Sequence, residues 1–417
     1  MKNMFRFAIA LAVCAIVGVG TARADEPAKI KVGILLPLTG PFAAVAETQR
    51  DGALLAVETI NAKGGLSMPW GKVQVEGVVD DDETKLDVGV RRYRYMVSNG
   101  VKGVGGQTWA SLAYAINAVV AKDPMPYFPT CVMSKDAYVK GKLAPSTFST
   151  AYSPWTVGYM AGKAAIANLG KKRIYFLGRA DSWGWDMRDG VAQAAKELGG
   201  EVIGYDEVSL GTTEFTAVLQ KVVAAKPDIF IASQFGGDAV ALLNQARQMG
   251  LDKQMTIFNA FMTNVVAKGV SPAALDGVYA LEYFYYDLDG FPDQEVARSV
   301  KAFSDLYRTK YQAPPDAYAV IAYTAFMEMF RGFEKAGSFD PAKVTQALMA
   351  NGGAFDTVKG PANWREDHVA NYKYAAFLVK GKGADARKNE WDLFSVLGSL
   401  GAQNGETVLP SLKSLGY

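Results

Sequence analysis

From Lys29 onward the chain alternates short apolar runs with amphipathic stretches, and this alternation limits its fold more than any other feature. Strands separated by helix-length segments build β-α units around a mostly parallel sheet, whereas strands joined by tight turns would build a sandwich or barrel. Ile30 to Leu36 is the first apolar run, Pro37 to Pro41 a turn, and Phe42 to Ala62 carries Leu54, Val57 and Ile60 at helical spacing before Gly64 and Gly65 stop it. The pattern predicts further strands over 73–80, 101–105 and 126–130, with helices over 85–99 and 111–122 between them. After a loop over 149–154 it restarts, with a helix ending at 168, others over 186–198, 215–224 and 238–249, and strands over 173–177, 202–207, 228–232 and 255–258. An extended aromatic run over 277–286, helices over 293–311, 316–335 and 341–349, and a final strand over 374–380 complete the reading. Two doubly wound α/β halves follow. Ligands sit outside the carboxyl ends of parallel strands, so two such sheets facing one another make a cleft lined by strand-to-helix loops.

The first 24 residues read as an export signal: Lys2 and Arg6 precede an apolar run from Phe7 to Val19, and Ala22-Arg23-Ala24 is a small-x-small cleavage site. That run is short for a membrane span, which needs about 20 apolar residues, and Val13 is a poor residue to precede a lipid-modified Cys14. Cleavage after Ala24 leaves Asp25 first in a periplasmic protein and removes Lys2, Arg6 and Arg23, which turns the formal charge of +2 into −1. Without a basic excess, the electrostatic footprint of a nucleic-acid binder is missing. Only Cys131 survives processing, so no intramolecular disulfide can form even in an oxidising compartment.

Enzyme chemistry finds little support. Neither Gly-x-Ser-x-Gly nor a histidine base beside a nucleophile occurs, and one histidine with one mature cysteine cannot build a His/Cys zinc cluster. Asp80-Asp81-Asp82 lacks calcium-loop spacing and reads as a strand-end turn, and His368 falls in a charged segment expected to be a surface turn. The expectation is a non-enzymatic chain without cofactor or metal.

The order and spacing of several motifs resemble the leucine/isoleucine/valine-binding proteins and their relatives, the type I periplasmic binding proteins. The residues concerned are Ile30 to Leu35 with Leu38-Thr39-Gly40-Pro41, Asn61 to Leu66, Asp80 to Asp82, Asp228 to Ile231, and Leu243 to Leu251. The resemblance implies two lobes joined by three crossovers near Ser149, Leu281 and Gly360, so that 25–149 with 282–360 form one lobe and 150–281 with 361–417 the other. It further implies a small-molecule ligand, hinge closure, a monomer, and docking to an ABC permease in the inner membrane. A periplasmic sensor that signals through a membrane partner is the alternative, since the same fold serves in receptors.

Amino-acid binders of this family hold the ligand's carboxylate with a serine and a threonine of the first lobe and its ammonium with an acid of the second. Aligning on Gly106 puts Ala110 at the serine position, with Ser111 one residue late and Thr108 nearby, while Val132 falls at the threonine, with Thr130 and Cys131 beside it. No Asp or Glu lies between Gln254 and Val270, the stretch that would supply the acid. Aromatic positions are kept or enlarged: Trp183 and Phe235 fall on pocket positions, and Trp109, Tyr152 and Phe261 lie in or beside pocket loops. The expected ligand is therefore apolar or aromatic, with an anionic end that Thr108, Ser111 and free helix N–H groups could meet, rather than a simple amino acid.

Overall fold

The central apolar runs become buried strands because helices cover both faces of each sheet. The computed structural model describes residues 26–131, 133–402 and 407–417. The expected export signal, Cys14, Asp25 and Val132 lie outside the described residues.

In the first lobe β1 (Lys29–Leu36), β2 (Leu66–Met68), β3 (Gly71–Asp81), β4 (Val104–Gly106) and β5 (Tyr127–Pro129) form a sheet in the order β2-β3-β1-β4-β5. Its strands are parallel except for the β2–β3 hairpin. α1 (Ala43–Ala62), α2 (Leu86–Ser98) and α3 (Ala110–Val120) supply the crossovers. The second lobe begins with α4 (Pro154–Lys163), which Ser153 caps by accepting from the Thr156 N–H. It continues through β6 (Arg173–Arg179), α5 (Ser182–Leu198), β7 (Glu201–Val208), α6 (Thr216–Ala225), β8 (Ile229–Ala232), α7 (Gly237–Gln248), β9 (Thr256–Met262), α8 (Asn264–Gly269), α9 (Pro272–Leu275) and β10 (Tyr279–Glu282). α10 (Gln294–Tyr311), α11 (Ala317–Ala336) and α12 (Pro341–Met349) return to the first lobe, where α11 packs on α1 and the Tyr311 hydroxyl donates to the Asp51 carbonyl at 2.9 Å.

Three short antiparallel strands follow: β11 (Ala354–Thr357), β12 (Gly360–Trp364) and β13 (Ala370–Tyr372). β14 (Ala376–Gly381) and β15 (Phe394–Leu400) then extend the second sheet, ordered β15-β14-β10-β9-β8-β6-β7.

The third crossover therefore lies between Tyr372 and Ala376, not at Gly360. Gly360 opens a strand whose Trp364 packs edge-on against Phe128 and Phe148, at centroid distances of 6.4 and 5.0 Å, holding the small sheet to the first lobe. α5 also begins four residues before the predicted start, because the Asp181 carboxylate accepts from the Trp183 and Gly184 N–H groups and starts the helix there. β15 lies beyond what was read as the last strand. His368 is no solvated turn: its ring stacks on Phe148 at 4.3 Å, and burial lowers its pKa.

Candidate functional site

Three strands of the second lobe end at one place. Trp183 in the first turn of α5, Phe235 just after β8 and Phe261 near the end of β9 converge, with centroid separations of 5.9 Å for Trp183–Phe261, 5.8 Å for Phe235–Phe261 and 6.5 Å for Trp183–Phe235. The fourth ring crosses from the first lobe: Tyr318, two residues past the Asp316 cap of α11, lies 6.0 Å from Phe235 and 6.1 Å from Phe261. Tilted and edge-on pairs at these distances are attractive, so the lobes meet through aromatic faces.

Trp183 is buried and oriented by an indole N–H···O=C bond to Ser233 of 2.7 Å. It lies in the first turn of α5, and the next residue, Gly184, permits close packing against β6, since a Cβ there would come within 2.0 Å of the Arg179 carbonyl. Across the rim, the Asp186 carboxylate accepts from the Ser134 hydroxyl and the Lys135 N–H, both at 2.8 Å, a second contact between the lobes.

On the first lobe Gly106 turns the chain with φ of +123°, where a Cβ would lie 2.1 Å from the Leu35 carbonyl, and this aims 107–111 at the cleft. The hydroxyls of Thr108 and Thr130 are already engaged. Thr108 donates to the Gln49 side-chain oxygen, and the Gln49 amide donates to the Thr130 carbonyl and hydroxyl, both at 2.9 Å. Gln49 went unnoticed in the sequence because it sits mid-helix in α1, where a polar residue reads as solvated. Trp109 packs half-buried against the smaller core cluster of this lobe, beside Asp82, whose carboxyl burial pushes up to about 6. Ala110 and Ser111 occupy the first turn of α3, which has no side-chain cap, leaving its first N–H groups without intrahelical partners. Cys131 is buried, its thiol pushed up to about 12, and acts as core filler.

Tyr152 is not in the cleft. It belongs to the crossovers, where Tyr152, Tyr283 and Tyr372, one from each, surround the buried Lys359. The Lys359 ammonium donates to the Tyr152 hydroxyl at 2.9 Å, the Tyr283 carbonyl at 3.0 Å and the Ala375 carbonyl at 2.7 Å. The Tyr283 and Tyr372 hydroxyls both donate to the Thr150 carbonyl, at 3.0 and 2.8 Å. A tyrosine at a lobe boundary reads from sequence as a pocket residue, but here its polar tip is consumed by the hinge.

Two acids also went unread. Burial, with Asp316 nearby, raises the pKa of Glu282 well above its ordinary 4.5, and neither of its carboxyl oxygens has a hydrogen-bond partner among the described residues. Asp316 is raised to about 6 by burial while capping Ala319. Among the described residues no group of three or more His, Cys, Asp or Glu could hold a metal ion, and no helix is long and apolar enough to cross a membrane. Two surface grooves, one beside Lys29, Trp70 and Phe339 and one beside Arg247 and Lys380, lie at the amino ends of strands, away from the aromatic cluster.

Two α/β lobes joined by three crossovers, with converging side chains where the strands of both sheets end, define a type I binding-protein clamp. Residues 29–385 match the periplasmic binding protein family, and the chain belongs to it. It is similar to the leucine-, isoleucine-, valine-, threonine- and alanine-binding protein of Pseudomonas aeruginosa, 28% identical over 87% of this chain and 92% of that one. In fold it is similar to an amino acid ABC transporter substrate-binding protein from Pseudomonas fluorescens Pf-5, with TM-score 0.80 and 24% identity over 94% of this chain and 98% of that one. It is also similar to a solute-binding protein from R. palustris in complex with benzoate, with TM-score 0.74 and 22% identity over 89% and 96% of the two chains. The chain is thus a periplasmic binding protein similar to the leucine/isoleucine/valine-binding proteins.

Proposed function

We propose that this protein delivers a small ligand with an aromatic or apolar body to an ABC permease, closing its lobes on that body at Trp183, Phe235, Phe261 and Tyr318. The observation that carries this reading is the four-ring cluster spanning both lobes, because rings contributed from two lobes gain contact with a flat ligand only when the lobes close. The benzoate complex of a protein of the same fold supports it. The first turn of α3, with Ser111 and free N–H groups, would face the ligand from the first lobe. On this reading 26–149 and 283–372 form the first lobe and the rest the second. The leader is cleaved after Ala24, and a monomer works in the periplasm.

The unpartnered carboxyl of Glu282 favours a second reading, an amine-bearing ligand that would ionise and pair with it, as the amino-acid-binding relative suggests. A thermal-shift screen of ligand-stripped protein with aromatic acids, apolar acids, amides and amino acids separates the two. A ligand at about 100 times its dissociation constant adds about 2.7 kcal/mol of stability. Aromatic compounds should shift the melting temperature and leucine should not; leucine alone shifting it would favour the amine reading.

A further inference from the structure

At the carboxyl end of β6, beside the aromatic cluster, stands a cation that neither the sequence nor the family pattern singles out. The Arg179 guanidinium lies 5.6 Å over the Trp183 ring, and its side chain is only 16% exposed. Its Nε–H donates to the Asp181 carboxylate at 2.7 Å. Asp181 is otherwise committed to the N-terminus of α5. Neither Nη of Arg179 makes a hydrogen bond among the described residues. Burial raises both the Tyr318 phenol and the Asp238 carboxyl, and the charge of Arg179 works against the rise at each, which places the guanidinium near both the cluster and α7. No hydrogen bond or close ion pair joins Asp238 to Arg179 among the described residues; its Oδ2 accepts from the Gly211 N–H at 2.9 Å.

A guanidinium held through Nε keeps its two Nη groups as a parallel fork, the geometry that takes a carboxylate in two hydrogen bonds. Asp181 meets the guanidinium only through Nε, so the fork is left for a second anion beside the aromatic cluster. The second lobe thus offers a positive charge beside the aromatic cluster.

We infer that Arg179 is the specificity-determining residue of the cleft and selects an aromatic carboxylate, the ring lying against Trp183, Phe235, Phe261 and Tyr318 and the carboxylate accepting from both Nη groups. The inference rests on the aromatic-body reading above and adds the charge of the ligand to it.

Calorimetry on the ligand-stripped protein tests it with benzoate and 4-hydroxybenzoate against benzamide and 4-hydroxybenzamide, in the wild type, Arg179→Gln, Arg179→Lys and Trp183→Ala. The acids should bind the wild type at least 100-fold more tightly than the amides. Arg179→Gln should weaken the acids at least 50-fold and the amides less than threefold, and Arg179→Lys, which keeps the charge without the fork, should fall between. Trp183→Ala should weaken acids and amides alike. Acid affinity retained within threefold in Arg179→Gln, or equal loss of acid and amide, would overturn the role of Arg179 while leaving the aromatic body in place. Should Arg179→Gln not fold, acid affinity in Arg179→Lys equal to the wild type overturns the fork. Leucine binding with no aromatic probe bound overturns the aromatic-body reading itself.

Discussion

Lys359 at the crossovers and Arg179 at the cleft are both cations packed against aromatic rings, and they differ in what they have left to offer. Lys359 has three donors and three acceptors within 3.0 Å, with the face of Tyr283 3.2 Å away. Arg179 has given one donor to Asp181 and keeps its terminal pair. A buried cation whose hydrogen bonds are complete fixes geometry, because moving it would strand every partner at once. One with an open fork is built to meet something else. The same residue chemistry, charge over aromatic faces, therefore serves as a fixed pivot at the crossovers and as a waiting contact at the cleft.

The largest expected effect comes from the pivot. Lys359→Ala removes a buried side chain and three donors, and urea unfolding without ligand should show a loss of about 3–5 kcal/mol. Ligand affinity in the fraction that folds should change less than threefold. A stable variant with lost affinity would erase the distinction between the two clusters.

Trp183→Ala should act on both quantities. Its indole touches Phe235 and Phe261, so affinity for an aromatic ligand should fall by about 2 kcal/mol. Ligand-free stability should fall by a similar amount, about 2 kcal/mol, since the residue is buried rather than on a loop. Calorimetry paired with urea unfolding reads both, and a stability loss with intact affinity would make Trp183 a core residue only.

The smallest effect separates lysine from arginine by pH. Burial holds the Lys359 pKa well below its ordinary 10.5, so above that lowered value the unfolded chain binds the extra proton and stability rises with pH. The phenols of Tyr152, Tyr283 and Tyr372 are all raised by burial and stay protonated in the folded state. Between that lowered value and the ordinary tyrosine value of about 10, the Lys359 contribution should thus be positive, at most about 1.4 kcal/mol per pH unit. Lys359→Met should flatten that slope. Arginine does not titrate there, so affinity for an aromatic acid should stay level across the same window. An unchanged slope in Lys359→Met would mean the lysine titrates normally.

Much of this arrangement was legible from the chain, for physical reasons. Fully buried parallel strands leave unbroken apolar runs, so β1, β6, β8 and β9 announced themselves, and Phe235 and Phe261 were readable as aromatics at strand ends. The small sheet of β11 to β13 was not, because its strands are short and half-exposed, and this displaced the expected third crossover. Tyr318 was missed because an aromatic early in a helix follows the same spacing as core residues. Arg179 was missed because a cation ending a strand looks like any solvated residue until Asp181 and Trp183 are seen to hold it. Tyr152 was misplaced since crossover and cleft are neighbours in sequence, and only the three converging tyrosines distinguish them.

The central claim is that the cleft cluster, and not the hinge cluster, receives an aromatic body as the lobes close. A crystal structure of the ligand-stripped protein with benzoate or its tightest-binding analogue tests this most directly. The account predicts a ring seated among Trp183, Phe235, Phe261 and Tyr318 with Lys359 still bonded to its three partners. A ligand bound away from those four rings, or a bound state in which none of them contacts it, would contradict it.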